Sequence, residues 1–271
     1  MSTMDQLGSQ LDVSVPHPAR RYNYWLGGKD NFAADRESGD EIAKVFPTIR
    51  IMAVENRRLL QRAVRYLAAE AGIRQFLDIG TGLPTADNTH EVAQREAPAS
   101  RVLYVDNDPL VLVHARALLT SSPEGHTDYL DADLNDPQSI LRHPALRATL
   151  DLDQPVALVL LAVLHFVPER ARAAELVQEL MAALPSGSYL LASHATQDYS
   201  DPELVRAYRK MLDEGRADVW PTTMAEMEQV FAGLTLVEPG IVPAGEWRPD
   251  PGADIPDRGA VGLYTGVGRK S

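Results

Sequence analysis

Three carboxylates stand at or just beyond the ends of short apolar runs: Asp78, Asp106 and Asp133. The first is followed at once by a glycine turn, Gly80-Thr81-Gly82. Glycine lets a backbone turn tightly and approach a ligand where a Cβ would collide. A strand, a Gly-rich turn and a helix start together build a nucleotide-sized pocket. Asp78 can face such a pocket from the strand, with Thr81 inside the turn. Asp106, ending the next apolar run, can accept hydrogen bonds from both hydroxyls of a ribose, with Asn107 beside it. Asp133 can accept an adenine amino group while the backbone N–H of Leu134 meets a ring nitrogen. A structural reading stands beside each. Asp106 can begin a turn while Asp108 caps the helix starting at Pro109. The acidic run 131–136 can be a turn in which Asp136 caps the helix starting at Pro137.

Two cofactor classes fit a strand, glycine turn, helix, strand and acid: NAD and S-adenosylmethionine. The dinucleotide pattern asks for Gly-x-Gly-x-x-Gly. Here Gly80 and Gly82 are followed by Thr85, so the third glycine is missing, and Pro84 suits that tight helix start badly.

A second group of residues could act on whatever the pocket holds. His165 follows the apolar run 155–163 and His194 follows the run 188–193. Ligands in open parallel sheets sit beyond the carboxyl ends of strands. Topology therefore carries both histidines toward the pocket, His165 as first choice of general base and His194 as second. Residues 18–32 concentrate Tyr22, Tyr24 and Trp25 into four positions, then add Gly27-Gly28 and Lys29, Asn31 and Phe32, in a chain that is only 6% aromatic. This stretch reads as a folded arm, as a lid hinged at the glycines, or as both. Tyr22 is a candidate for cation–π contact with a cationic sulfur, and Arg57, with Asn56, for the cofactor's carboxylate. The seven histidines are scattered with no close pair at helical ligand spacing, so no metal site is expected.

The elements that must position these groups follow from periodicity. Helices are expected over 34–45, 51–71 (with Gly72 as its cap and Arg57, Arg58, Arg62 and Arg65 on a mostly solvated polar face), 86–96, 109–119, 169–183, 201–214 and 222–231. In the last, Thr223 and Glu226 form a capping box. His90 reads as a polar residue of the first turns of 86–96. Strands are expected at 76–79, 101–106, 127–130, 155–163, 188–193, 234–237 and 261–267, with 239–259 a loop. The expected organisation is a flexible N-terminus over 1–16, a lid with helices over 17–72, and a cofactor-binding core over 73–271.

The 271 residues are 45% hydrophobic and 24% charged, enough for one α/β domain with additions. The net charge of −12 argues against a general nucleic-acid binder. With no cysteine, disulfides and thiolate sites are excluded. No apolar run approaches the roughly 20 residues of a membrane span, and no signal pattern is present. A cytoplasmic protein is the expectation, without nucleic-acid or membrane partners; its oligomeric state is not written in the residues.

Three stretches carry a family resemblance: Pro18-Ala-Arg-Arg-Tyr-Asn-Tyr-Trp-Leu-Gly-Gly-Lys-Asp-Asn-Phe32, Asp78-Ile-Gly-Thr-Gly-Leu-Pro84 and Tyr104-Val-Asp-Asn-Asp-Pro109. The chain resembles an actinobacterial family of S-adenosylmethionine-dependent methyltransferases, formerly a domain of unknown function. The resemblance implies a Rossmann-like class I fold: a seven-stranded, mostly parallel sheet flanked by helices, the last strand antiparallel. It also implies a methyl-donor site around Asp78, Gly80, Gly82, Asp106 and Asp133, with S-adenosylhomocysteine as the product. It names no substrate. A small-molecule acceptor is expected. The alternatives are a non-catalytic S-adenosylmethionine-binding regulator and, from the glycine turn alone, an NAD-dependent oxidoreductase.

Overall fold

The computed structural model describes residues 12–118 and 120–271. Residues 1–11 of the expected flexible N-terminus lie outside the described residues, as does Leu119 at the end of the helix expected over 109–119.

The apolar runs form a single mixed sheet. Its strands are β1 (Gln75–Ile79), β2 (Arg101–Asp106), β3 (His126–Asp131), β4 (Ala157–Leu161), β5 (Tyr189–Ala195), β6 (Leu234–Leu236), β7 (Val242–Pro243) and β8 (Leu263–Lys270). The spatial order is β3-β2-β1-β4-β5-β8-β6, with β7 also pairing with β8. Strands β1 to β5 pair in parallel, and β8 runs antiparallel to β5 and to β6. The expected antiparallel last strand is there. The eighth strand, β7, was not expected, because two residues carry no periodicity to read. The chain reverses direction across the sheet between β1 and β4. This reversal opens a crevice at the carboxyl ends of the strands, where open α/β sheets take ligands.

Strand alternation divides the core into two layers. Leu77, Leu103, Leu158 and Leu190 pack on one face with Leu176 and Leu180 of the helix Arg170–Ala182. Phe76, Val102, Val159 and Leu191 pack on the other with Leu59, Ala63 and Leu67. The last three belong to a 21-residue helix, Ile49–Ala69. We number the helices α1 (Pro18–Trp25), α2 (Ala33–Val45), α3 (Ile49–Ala69), α4 (Thr89–Glu96), α5 (Pro109–Leu118), α6 (Pro137–Arg142), α7 (Pro144–Thr149), α8 (Arg170–Ala182), α9 (Pro202–Asp213), α10 (Met224–Val230) and α11 (Arg258–Val261). Among the described residues no helix is long and apolar enough to cross a membrane.

Several expectations shift. Helix α4 begins at Thr89 rather than 86, because the Asn88 side chain exchanges hydrogen bonds with the backbone of Thr85 and Glu91 closes a capping box on Asn88. Helix α10 starts where expected, under the Thr223–Glu226 capping box. Asp136 caps α6 by accepting the Ser139 N–H. The expected loop 239–259 holds β7 and a short 3-10 turn, Ala244–Glu246, and it buries Trp247 completely. Arg62 is buried rather than solvated, because its guanidinium donates to the carbonyls of Trp247 and Ala244 and so fastens that segment to α3.

Candidate functional site

The crevice holds a cavity of about 260 Å³ running from the β1 turn to the N-terminal helices. At one end, Gly80 and Gly82 have φ of +74° and +65°, which glycine adopts without strain. A Cβ on Gly80 would collide with the Val163 side chain. The turn is tied to β2: the Gly80 N–H donates to the Val105 carbonyl at 2.8 Å and the Gly82 N–H to Asp106 Oδ2 at 2.9 Å. Asp106 Oδ1 accepts the Asp108 N–H at 2.9 Å. Burial pushes the Asp106 carboxyl up to about 6 despite these donors. Asp78 is likewise raised to about 6 by burial, opposed by the Thr89 hydroxyl that donates to its Oδ2 at 2.6 Å and by the nearby Arg57 charge. Two buried carboxylates thus stand in the crevice with acceptor capacity left for a ligand's donors.

Beyond the turn, Asn107 and Asp133 meet across the cavity, with Asn107 Nδ2 donating to Asp133 Oδ2 at 3.2 Å. Asp133 also accepts the Asn135 N–H at 2.8 Å, and Leu134 is buried beside it. Asp78, Gly80, Thr81, Gly82, Asp106, Asn107, Asp133 and Leu134 all line this same cavity. Arg57 lines it too, while its guanidinium donates to the carbonyls of Ala86 and Asp87, holding the loop after the glycine turn.

A hydrogen-bond chain links this end to the N-terminal helices. The Ala162 N–H donates to Ser193 Oγ, and Ser193 donates to Asn56 Oδ1. Asn56 Nδ2 donates to the Tyr22 hydroxyl, which donates to the Ala53 carbonyl. Ala162, at the end of β4, has φ of +53°, a strained conformation of the kind that clusters at functional sites.

The aromatic stretch forms α1, which ends at Gly27 (φ +80°), as the expected bend requires. Of its candidates, Tyr22 and Trp25 line the cavity. The other four are not among its lining residues, and three of them, Tyr24, Asn31 and Phe32, build the arm itself. Tyr24 donates to Asp40 and lies under Arg50. Asn31 donates to Asn23 and to the Gly28 carbonyl. Phe32 stacks beneath Arg20 and donates its N–H to the buried Asp35, and Lys29 is exposed. The arm is docked by two ion pairs: Arg20 with Asp108 at 3.0 Å, buried on both sides, and Arg21 with the half-buried Asp218 at 2.5 Å.

His165 lines the cavity at the end of β4 and is buried. Burial, then the neighbouring His194 and Arg21, lower its pKa well below 6.5, so its ring is neutral at neutral pH. Its Nδ1 faces the Ala195 N–H at 3.4 Å as an acceptor, which leaves the ring proton on Nε2. His194 packs edge-on against His165, with Nδ1 3.1 Å from the Ala195 carbonyl, and is not among the lining residues. The sequence brought the histidines to the ends of two adjacent strands, but alternation along β5 turns His194 away from the cavity. His90 is buried, with Nδ1 2.8 Å from the Tyr104 hydroxyl, rather than on a polar surface.

Sequence reasoning missed the cavity's far wall. Ile42, Phe46, Ile49 and Met52 of the N-terminal helices meet Tyr208 and Val219 there, with Phe46 and Tyr208 in edge contact at 5.0 Å. Periodicity flagged some of these as helix-buried; only their meeting across 160 residues makes them a wall. Arg21 and Gln197 also line the cavity and carried no local signal.

A family profile described as S-adenosyl methyltransferase matches residues 4–271. A solved DUF574-family protein from Streptomyces avermitilis is 48% identical over 96% of this chain and 99% of that one, with a TM-score of 0.90. A candidate methyltransferase from Thermobifida fusca is 43% identical over 97% of each chain, with a TM-score of 0.87. An O-methyltransferase family protein from Burkholderia thailandensis shares the fold at 16% identity and a TM-score of 0.50, over 99% of this chain and 68% of that one. No curated protein matches the chain.

Proposed function

The chain belongs to the S-adenosyl methyltransferase family, as an S-adenosylmethionine-dependent enzyme with a small-molecule or macromolecular methyl acceptor, and from that premise we propose that its crevice holds the donor along the β1 turn and a small, largely apolar acceptor against the far wall. The observation that carries this is the continuous cavity, which joins the glycine turn to the cluster of Trp25, Ile42, Phe46, Ile49 and Tyr208.

S-adenosylmethionine supplies a methyl group already activated on a sulfonium. The protein's work is therefore alignment and dehydration. Asp106 accepts from the ribose hydroxyls while fixing Gly82. Asp133 and Leu134 take the adenine edge, with Asn107 holding Asp133 in place. Asp78 and Arg57 address the amino-acid end of the donor. Tyr22, held by Asn56, stands where α1 meets the donor site.

His165 stands at the acceptor side of that alignment. A general base needs a free lone pair aimed at the acceptor, and the tautomer that accepts the Ala195 N–H offers a donor instead. We therefore give His165 the role of orienting the acceptor's reacting group through Nε2–H. His194 supports it from behind by packing against the ring.

The test is a methyl-transfer assay with donor tritiated on the methyl group, incubated in parallel with a fractionated small-molecule extract, a protein extract and total nucleic acid. Label passing into the small-molecule fraction is expected. Label confined to protein or nucleic acid would overturn the acceptor half of the reading.

A further inference from the structure

The hydrogen-bond chain beside the cavity joins two backbone groups of fixed polarity. It starts at the Ala162 N–H, which can only donate, and ends at the Ala53 carbonyl, which can only accept. Ser193, Asn56 and Tyr22 stand between them, with successive links of 2.9, 2.7, 3.1 and 2.9 Å. The fixed ends impose one direction on the middle. Ser193 accepts from Ala162 and passes its single proton to Asn56 Oδ1. Tyr22 accepts from Asn56 Nδ2 and passes its single proton to Ala53. Were the Asn56 amide turned over, the Ser193 proton would meet an N–H group and Tyr22 would need two protons. Ser193 and Asn56 are 0% and 4% exposed, so a broken link leaves its neighbours stranded away from bulk water.

Each end of the chain bears on the cavity. Ala162 holds φ of +53°, a conformation that persists in a residue with a Cβ only where the surroundings over-determine it. The next residue, Val163, lines the cavity and packs so close to Gly80 that a Cβ there would stand 2.4 Å from Val163 Cγ2. The backbone at Ala162 therefore sets how Val163 meets the glycine turn. At the other end, Tyr22 lines the cavity from α1. Ser193 is not among the lining residues, so it can act on a ligand only through others. Asn56 does line the cavity, but its amide oxygen and nitrogen are both engaged by Ser193 and Tyr22.

We propose that Asn56 and Ser193 are positioning residues for the methyl donor: the one-way relay they carry fixes the span between the end of β4, which shapes the glycine turn through Val163, and α1, which lines the cavity through Tyr22. Their role rests on the methyl-transfer reading above and adds to it two residues that work without touching the donor. The aromatic arm and the glycine turn are then one unit. A change at the Tyr22 hydroxyl is felt at Ala162, although only Ser193 and Asn56 join them.

The experiment uses the full-length protein as wild type, Tyr22→Phe, Ser193→Ala and the double variant, each titrated calorimetrically with S-adenosylhomocysteine. Each single variant is expected to weaken binding about fivefold, the scale of one lost hydrogen bond. The double variant is expected to lose little more than a single one, where independent sites would give a product of about 25-fold. A second readout needs no ligand. Amide exchange is followed in protein labelled with 15N-alanine, the Ala162 resonance being identified by its loss in Ala162→Gly. Tyr22→Phe is expected to speed exchange at Ala162 about fivefold while Ala157, in the same strand, stays within about twofold of wild type. A role of Tyr22 confined to α1 would not move Ala162 apart from Ala157. Losses that multiply, unchanged affinity in either single variant, or exchange at Ala162 that stays at its wild-type rate or rises only together with Ala157 would overturn the proposal. Should Ser193→Ala fail to fold, the exchange result in Tyr22→Phe decides alone. Failure of wild-type protein to bind S-adenosylhomocysteine would instead sink the donor-site reading, while the exchange measurement still tests the relay.

Discussion

The Asp106 carboxylate accepts the backbone N–H of Gly82 at 2.9 Å, so the end of β2 holds the turn that follows β1. One side chain both shapes the glycine turn and faces the cavity. Replacing it removes two functions at once. Asp106→Ala is expected to weaken S-adenosylhomocysteine binding by about 1–3 kcal/mol, the scale of stranding buried hydrogen-bond groups. Calorimetric titration checks this, and unchanged affinity would remove the ribose role.

Asp78 predicts a pH dependence of stability. Burial raises its folded pKa from 3.8 to about 6. A raised carboxyl stabilises the fold below the unfolded pKa and loses that contribution as pH rises through the folded one. The loss falls between about pH 4 and 6 and is of order 3 kcal/mol in all. Asp78→Asn, which has no such titration, is expected to gain stability relative to the wild type across that window and to keep the gain at pH 7. Urea unfolding of both ligand-free proteins at pH 4.5 and 7 measures it. An equal difference at the two pH values would refute the assignment.

Arg20 and Asp108 form a buried pair, with side chains 5% and 0% exposed. Losing one partner of such a pair costs about 3–5 kcal/mol, because the other charge is stranded. Arg20→Ala should show that loss in urea unfolding. Adding Asp108→Asn, which keeps a group able to accept the Leu110 N–H, should restore part of it. Additive losses in the double variant would mean that the pair itself contributes little.

His165 separates two roles by substitution. Glutamine can orient a group by donating a hydrogen bond but cannot take a proton. Once an acceptor is known, His165→Gln is expected to keep kcat within about tenfold, whereas removing a general base typically costs 10²–10⁴-fold. A loss in that larger range would return the ring to the role of base. Because its pKa lies well below 6.5, the neutral ring persists through neutral pH, and protonation of His165 should affect the rate only on the acid side.

The glycine-turn end of the cavity was legible in the sequence because it is local. Asp78, Gly80, Gly82, Asp106 and Asp133 each sit at a strand end, and strand ends can be read from short apolar runs. The apolar far wall was mostly illegible. Tyr208 and Phe46 touch only after the sheet has brought α9 to α2. Gln197 looked like any polar residue after a strand. Trp247 sat in a stretch rich in Pro, Gly and Asp that looked like loop, and its burial depends on Arg62, 185 residues earlier. Of the aromatic arm's six nominated residues, Tyr24, Asn31 and Phe32 hold the arm together, Tyr22 and Trp25 line the cavity and Lys29 is exposed, a division that composition alone cannot make.

The Arg21–Asp218 pair spans 197 residues of chain. During synthesis the first of these residues leaves the ribosome long before the second exists. The glycine turn and β2 are in hand once residues 75–106 have emerged, but the far wall has to wait for Tyr208 and Asp218. Closing so long a loop is slow relative to local structure. The order of biosynthesis thus makes the glycine turn and its β2 partner available before the far wall, which waits for Tyr208 and Asp218.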